Sequence, residues 1–369
     1  MTERVRVVLV FGGESAEHGV SCLTAASVMA AIDTDRYEVS GIGITRDGQL
    51  IRYTAEQIAG LVTVDRTLPE VSAEYPTAVL MRVGDGCEVA TLVDDRLIDR
   101  QPVDVAFALI HGPFGEDGTI QGLFEIFGLR YVGSGVTGSA AGMDKVLMKQ
   151  VLTAHDLPVG PYVAVPPRRW QNEPDKVREE VARLNWPVFV KPARGGSSMG
   201  ITRVTAPDQL DDAIAHAREF DPKVIVEQGF VGAREIECAV LGDLDGGPAR
   251  TTRVGEIVMH TESGFYDFDA KYLPEDQVTL QVPTEVSEDV LGRARELARR
   301  AFEAFDGEGL ARVDFFLDGD ELFINELNTM PGFTEFSMYP MLWQDAGLSY
   351  SELISTLIEL ARARPLGLR

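Results

Sequence analysis

Apolar and polar positions divide this chain into strands and helices. Val5-Arg-Val-Val-Leu-Val-Phe11 predicts a buried strand, followed by Gly12-Gly13, a helix from about Ser21 to Ile32, and a second strand from Tyr37 to Ile44. Strand, helix, strand in that order opens a doubly wound α/β domain. Residues 46–100 look irregular and acidic, with several turn signals and little functional content. Val103 to Ile110 returns to a buried strand ending in His111-Gly-Pro-Phe-Gly-Glu-Asp-Gly118, before a helix from Thr119 and a short strand from Leu129 to Val132.

From Ser134 the texture changes. A helical stretch carries Asp144-Lys145, and Pro187 to Pro192 predicts a strand. The loop Arg194-Gly-Gly-Ser-Ser-Met-Gly200 then leads to a strand from Ile201 to Val204, a helix from Asp208 to Phe220 and a strand from Lys223 to Glu227. Beyond that lie mainly antiparallel strands, a long loop and a helix from Glu288 to Phe305. That helix has Ser287 as N-cap and an apolar stripe at 290, 294, 297, 301 and 305. The expected domains are 1–133, 134–226 and 227–369, consistent with a length too great for one core.

The segment Gly309 to Gly332 carries the strongest chemical signal. Arg312-Val-Asp314-Phe-Phe-Leu and Leu322-Phe-Ile-Asn-Glu326-Leu-Asn328 alternate, and Asp318-Gly319-Asp320 is a turn signal, so the pair predicts a hairpin. An odd loop centred on Gly319 places Asp314 opposite Glu326; a two-residue loop would send Glu326 to the other face. In the first register two carboxylates and an amide oxygen converge, as Mg²⁺ requires. A solvated strand face explains these acids poorly, because Asp, Glu and Asn are depleted in strands and this hairpin carries Phe315, Phe316, Phe323 and Ile324.

Charge narrows the function further. The formal net charge of −24, with no basic stripe, argues against nucleic acid. There are six lysines, and Lys145, Lys191 and Lys271 fall inside motif-like segments, where an anion is the expected partner. No apolar run approaches a membrane span, no signal-peptide pattern precedes the first strand, and three scattered cysteines form no framework, so a cytoplasmic protein is expected.

Two motifs mislead. Gly133-Ser-Gly-Val-Thr-Gly138 fits a dinucleotide fingerprint but reads better as a tight turn into a helix. Gly196-Ser-Ser198-Met-Gly200 fits a serine-hydrolase elbow, which needs strand, turn and helix; here a strand follows. A Gly/Ser loop between strands can instead lay backbone N–H groups over phosphates, and Lys191 just before it favours that use.

The phosphate-covering hairpin, the lysine before it and the acidic terminal hairpin together resemble the ATP-grasp superfamily. Five segments narrow the resemblance to the D-alanine–D-alanine ligase family: residues 12–21, 111–122, 191–200, 265–272, and 325–332 with Ser337-Met338. The fold this implies is a multidomain α/β and α+β chain, an ATP-grasp fold behind an N-terminal doubly wound, Rossmann-like domain. The implied reaction is ATP-dependent ligation of two D-alanine molecules through a D-alanyl phosphate, for peptidoglycan. The implied cofactors are ATP as substrate and two Mg²⁺ ions, for which Mn²⁺ can substitute, and the implied assembly is a homodimer. No nucleic-acid or membrane partner is expected.

By resemblance, Asp314, Glu326 and Asn328 hold the metals, and Arg312 and the Gly332 N–H stabilise the transferring phosphoryl group and the tetrahedral intermediate. Lys145, Lys191, Ser197, Ser198, Lys271 and Asn325 join Glu326 around ATP. Glu227, Gln228 and Phe230 read the adenine and Glu235 the ribose, the last less securely because one residue is inserted near Val231 to Ala233. Glu17 binds the ammonium of the first D-alanine and His111 its carboxylate; Ser337 and Met338 hold the second. Glu17, Ser197 and Tyr272 are expected to meet by hydrogen bonds and couple a lid over residues 265–272 to the first substrate. Tyr272 favours D-alanine over D-lactate as nucleophile. The alternatives are a related ligase using D-lactate or D-serine, a non-catalytic nucleotide-binding protein, and, weakest, a hydrolase at Ser198.

Overall fold

A computed structural model of the chain describes residues 4–260 and 278–365. The expected lid, with Lys271 and Tyr272, lies outside the described residues. The first of three sheets has eight strands in the order Arg96–Val103, Gly86–Val93, Thr77–Val83, Leu50–Thr54, Tyr37–Ile44, Val5–Gly12, Val105–Ala108 and Arg130–Tyr131. Its last four strands pair in parallel, as in a doubly wound domain. The helix after the first strand runs His18–Ala31, three residues earlier than the sequence suggests.

The sequence expectation for residues 46–100 is corrected: they form Leu50–Thr54, Thr77–Val83, Gly86–Val93 and the start of Arg96–Val103, antiparallel strands that extend this sheet. Two-residue turns at Gly84-Asp85 and Asp94-Asp95 join the outer three, with positive φ at Gly84, Asp94 and Asp95. The outermost strand is exposed along most of its length, so burial imposes no alternation on it. The predicted strand from Val103 also divides at Asp104, whose carboxylate accepts from Arg6 Nε and Nη2 at 2.9 and 2.7 Å.

The second sheet is antiparallel, in the order Thr202–Val204, Val188–Pro192, Val224–Gln228, Tyr162–Val165. The third, also antiparallel, runs Val278–Gln281, Arg250–Met259, Arg234–Leu241, Leu310–Asp318, Glu321–Asn328. The helix Glu288–Ala304 packs Val290, Ala294, Ala298, Ala301 and Phe302 on it, and Ser287 caps that helix by accepting from Val290 N at 3.3 Å. Each fully buried large apolar side chain here contributes about 1.5–3 kcal/mol.

Cores and sheets do not divide the chain in the same places. Leu353, Ile354 and Leu357 of the helix Tyr350–Ala363 share one core with Val7, Leu9, Phe11 and Phe107 of the first sheet. Among the described residues no helix is long and apolar enough to cross a membrane.

Candidate active site

The terminal hairpin does not have the expected odd loop. Asp318 pairs with Glu321, leaving a two-residue turn of Gly319 and Asp320, with Gly319 at φ +62°. Phe315 nevertheless pairs with Ile324 and Asp314 with Glu326, because a β-bulge at Asn325 supplies the missing residue. The expected partners therefore stand opposite each other by a different route. Arg312 faces Asn328, and on the other neighbouring strand Glu237 faces Asp314. Glu237, Asp314 and Glu326 thus form a row of carboxylates across three strands, while Val313, Phe315, Ile324 and Leu327 fill the core behind them.

Ion pairs bind this row tightly. Arg312 donates to both oxygens of Asp314 at 2.7 Å and approaches Glu237 at 3.0 Å. Burial lowers the guanidinium's proton affinity, but Asp314 and Glu237 reverse this and hold it well above its ordinary value. Asn328 donates its amide nitrogen to Asp314 at 2.9 Å, leaving its carbonyl oxygen as an acceptor. Lys145 lies 3.1 Å from Glu326 and donates to the Gly195 carbonyl at 3.1 Å.

Lys145 opens the helix Lys145–Ala154, whose N-cap Asp144 accepts from Val146 N and Leu147 N at 3.1 Å. Lys223 pairs with Asp144 at 2.7 Å and so ties this helix to the second sheet. One turn along stands Lys149, 2.7 Å from Glu227, while Lys191 reaches the other Glu227 oxygen at 2.7 Å. Burial pushes the Glu227 carboxyl up, but the two ammonium groups more than reverse it and hold it at about 2.

The loop after Lys191 is pinned by Arg194, which forks onto Asp221 at 2.9 and 2.7 Å. Ser197 and Ser198 both have left-handed φ, 49° and 59°, and Gly200 has φ +71°. A strand follows the loop, so Ser198 is no hydrolase elbow. Likewise Gly135 simply leads into the helix Val136–Met143. The loop meets the segment that leads into the helix His18–Ala31: a Cβ at Gly196 would lie 3.0 Å from Glu17 Oε2. Ser197 Oγ is buried with no hydrogen-bond partner, so the expected bond to Glu17 is not formed.

His111 is buried, with Nδ1 3.2 Å from the Met330 carbonyl and Nε2 3.5 Å from the Thr24 hydroxyl. Glu116 accepts from Gly112 N at 2.6 Å; burial and the nearby Glu17 push its carboxyl up to about 8. Ser337 precedes the helix Met338–Asp345 and bonds the Thr334 hydroxyl at 2.8 Å; a Cβ on Gly332 would sit 3.2 Å from Ser337 Oγ.

One cavity of about 1480 Å³ joins all of this. Every candidate within the described residues lines it, including Gln228, Phe230, Glu235, Asn325 and Met338. The lining residues to which the sequence assigned no role include Lys149, Glu116 and Glu237. The i, i+4 spacing of Lys145 and Lys149 and the alternation of Glu235 with Glu237 carry the missed signal. Among the described residues no three His, Cys, Asp or Glu side chains close on one point as a metal cage.

The profile "D-ala D-ala ligase N-terminus" matches residues 6–134 and "D-ala D-ala ligase C-terminus" residues 151–359. The chain is 51% identical over 367 residues to the D-alanine–D-alanine ligase of Arthrobacter sp. (strain FB24), spanning 99% of this chain and 96% of that one. It is 50% identical over 377 residues to that of Kineococcus radiotolerans, spanning 99% and 98%. Among solved structures, the D-alanine-D-alanine ligase from Coxiella burnetii superposes with a TM-score of 0.82 at 29% identity, over 98% of this chain and 94% of that one. The VanG D-Ala:D-Ser ligase from Enterococcus faecalis gives 0.80 at 33% identity, over 97% and 100%. With both halves of the chain matched in order, this chain belongs to the D-alanine–D-alanine ligase family.

Proposed function

We propose that this cavity joins two D-alanine molecules at the expense of ATP, giving D-alanyl-D-alanine, ADP and phosphate. The observation that carries the reading is the pairing of Asp314 with Glu326 on the cavity wall, with Arg312 and Lys145 bound to them. The reaction has two steps. A carboxylate oxygen of the first D-alanine takes the γ-phosphoryl group, releasing ADP; the amine of the second then attacks the acyl carbon and phosphate leaves. Both steps build charge on oxygen, so fixed cations and N–H donors supply most of the acceleration.

The residues fit a metal-borne nucleotide. Lys145, Lys149, Lys191 and Arg312 are already matched by Glu326, Glu227, Glu237 and Asp314. A nucleotide polyanion entering so balanced a site needs further positive charge. Asp314, Glu326 and the free amide oxygen of Asn328 are the hard oxygen donors Mg²⁺ takes. Bound there, two Mg²⁺ ions would neutralise phosphate charge.

The base sits against Glu227 and the backbone of Gln228 to Phe230, with Glu235 toward the ribose. The Phe230 ring stacks on Phe316 at 5.1 Å, giving an aromatic wall beside that edge. Lys145, Lys191, Lys271 and the Ser197-Ser198 loop hold phosphates. Glu17 takes the ammonium of the first D-alanine and His111 its carboxylate. Arg312 and the Gly332 N–H face the tetrahedral intermediate, and the start of the helix at Ser337-Met338 takes the carboxylate of the second substrate, as helix N-termini do for anions. Tyr272 selects the amine nucleophile. In this reading residues 1–133, 134–226 and 227–369 each contribute one wall.

The likeness to a D-Ala:D-Ser ligase makes D-serine the second candidate nucleophile. Incubation with ATP, Mg²⁺, D-alanine and equimolar D-serine and D-lactate, with chromatography of products, tests the reading. D-alanyl-D-alanine should dominate at neutral pH. Phosphate release without any D-alanyl product would overturn it.

A further inference from the structure

Lys149 belongs to no motif, yet it is more deeply buried than the other cavity lysines, at 2% exposure. Its ammonium has two partners on two different sheets. One is Glu227 of the second sheet, at 2.7 Å. The other is the backbone carbonyl of Asn325, at 3.3 Å, on the last strand of the third. Asn325 is no ordinary strand residue. It is the bulged position, and without it the two-residue turn would send Glu326 to the core side of the hairpin. A bulge leaves ladder groups unpaired, and a buried carbonyl without a partner is costly. Lys149 donates to the part-buried Asn325 carbonyl.

We propose that Lys149 is a positioning residue that couples the base-binding edge of the cavity to its metal-facing strand, orienting Glu227 with one N–H while another holds the Asn325 bulge that sets Glu326 opposite Asp314. The idea rests on the proposed roles of Glu227 and Glu326. The helix spacing supports it: Lys145 and Lys149 stand one turn apart and reach consecutive residues of one strand, the Glu326 carboxylate and the Asn325 carbonyl. The helix is itself anchored at its N-terminus by the Lys223–Asp144 pair, so both amines project from a fixed base. Lys191 reaches Glu227 from its own sheet and has no bond to the bulge among the described contacts, so it orients the carboxylate without linking the two walls.

Such a link has a thermodynamic signature: Mg²⁺ and nucleotide tighten each other's binding, and removing the connection reduces that coupling. The test is calorimetric titration of the full chain with ADP, once in excess Mg²⁺ and once in EDTA, alongside steady-state kinetics. Glu227→Gln, whose amide oxygen can still accept from Lys149, should weaken ADP, raise KM for ATP and reduce the Mg²⁺-linked gain in ADP affinity by less than the loss of Lys149 does. Lys149→Met should weaken ADP, lower kcat and reduce the Mg²⁺-linked gain by about tenfold, the scale of lost outer-sphere support at a metal site. The double variant Lys149→Met/Glu227→Gln leaves no half-paired carboxylate behind; it should fold and show the same reduced gain. A Mg²⁺-linked gain equal to wild type in either Lys149 variant would overturn the proposal. Should Glu227→Gln leave ADP affinity unchanged, the base-binding role of Glu227 fails, while the Mg²⁺ arm still decides whether Lys149 supports the bulge.

Discussion

Two β-hairpin regions of this molecule are rich in acids and use them in opposite ways. In the strands Thr77–Val83, Gly86–Val93 and Arg96–Val103, Asp85, Asp94, Asp95 and Asp99 are exposed, and three of them adopt positive φ. In the hairpin Leu310–Asp318 and Glu321–Asn328, Asp314 and Glu326 sit mid-strand, half or fully buried, each held by a cation. The first set contributes turn conformation and solubility. The second stores balanced charge facing a cavity. Counting acids cannot tell these apart; position in the strand and the presence of a paired cation can.

The sharpest way to break the contrast is to neutralise the mid-strand acid. Glu326→Gln should lower turnover at saturating ATP and Mg²⁺ by about a hundredfold or more, with the far-UV spectrum unchanged. A near-normal rate of phosphate release would remove Glu326 from the reaction. Glu237→Gln probes the far end of the same row. It leaves Arg312 with Asp314 alone, and should cost about 1–3 kcal/mol in urea unfolding together with a smaller loss of kcat.

Glu116 sharpens the comparison through pH. Burial, then the neighbouring Glu17, push its folded carboxyl from 4.5 up to about 8. Between those values the folded chain keeps a proton that the unfolded chain has released, so this group costs stability increasingly as pH rises from about 4.5 to 8. Glu116→Gln should therefore remove part of the fall in Tm between pH 5 and pH 8, and leave pH 4 nearly unaltered. Glu227 works with the other sign. Its folded value near 2 stabilises the protein above pH 4.5, and this contribution is lost as the solution is acidified toward pH 2. The smallest effect belongs to the exposed turns. Asp95→Gly relieves a φ of +60° and should stabilise by about 0.5–1 kcal/mol, with activity unchanged.

Much of this was legible in the sequence where burial is two-sided. The strand Val5–Gly12, the capped helix Glu288–Ala304 and the terminal hairpin follow from runs and stripes that a core enforces. The outer strands of the first sheet were not, because one face is solvent and the outermost strand is almost wholly exposed. The hairpin itself was half-read. Its core positions Leu322, Ile324 and Leu327 slip from a spacing of two to three, and that slip is the bulge. The even turn and the bulge each shift the register by one residue and cancel, so the right carboxylates meet despite the wrong loop. Lys149 and Glu237 were missed because each makes sense only through partners far away in sequence. The unpartnered Ser197 hydroxyl marks where sequence expectation and structure part, since no contact in the described residues joins it to Glu17.

The central claim is that the bulged hairpin holds the metal-borne phosphates of ATP. A crystal structure of the chain with ADP and Mn²⁺, with anomalous scattering collected at the manganese edge, addresses it directly. The account expects manganese between the ADP phosphates and the oxygens of Asp314, Glu326 and Asn328, with the Arg312–Asp314 fork and the Lys145–Glu326 pair loosened to share those oxygens. Manganese located away from all three side chains, with both ion pairs intact, would contradict it.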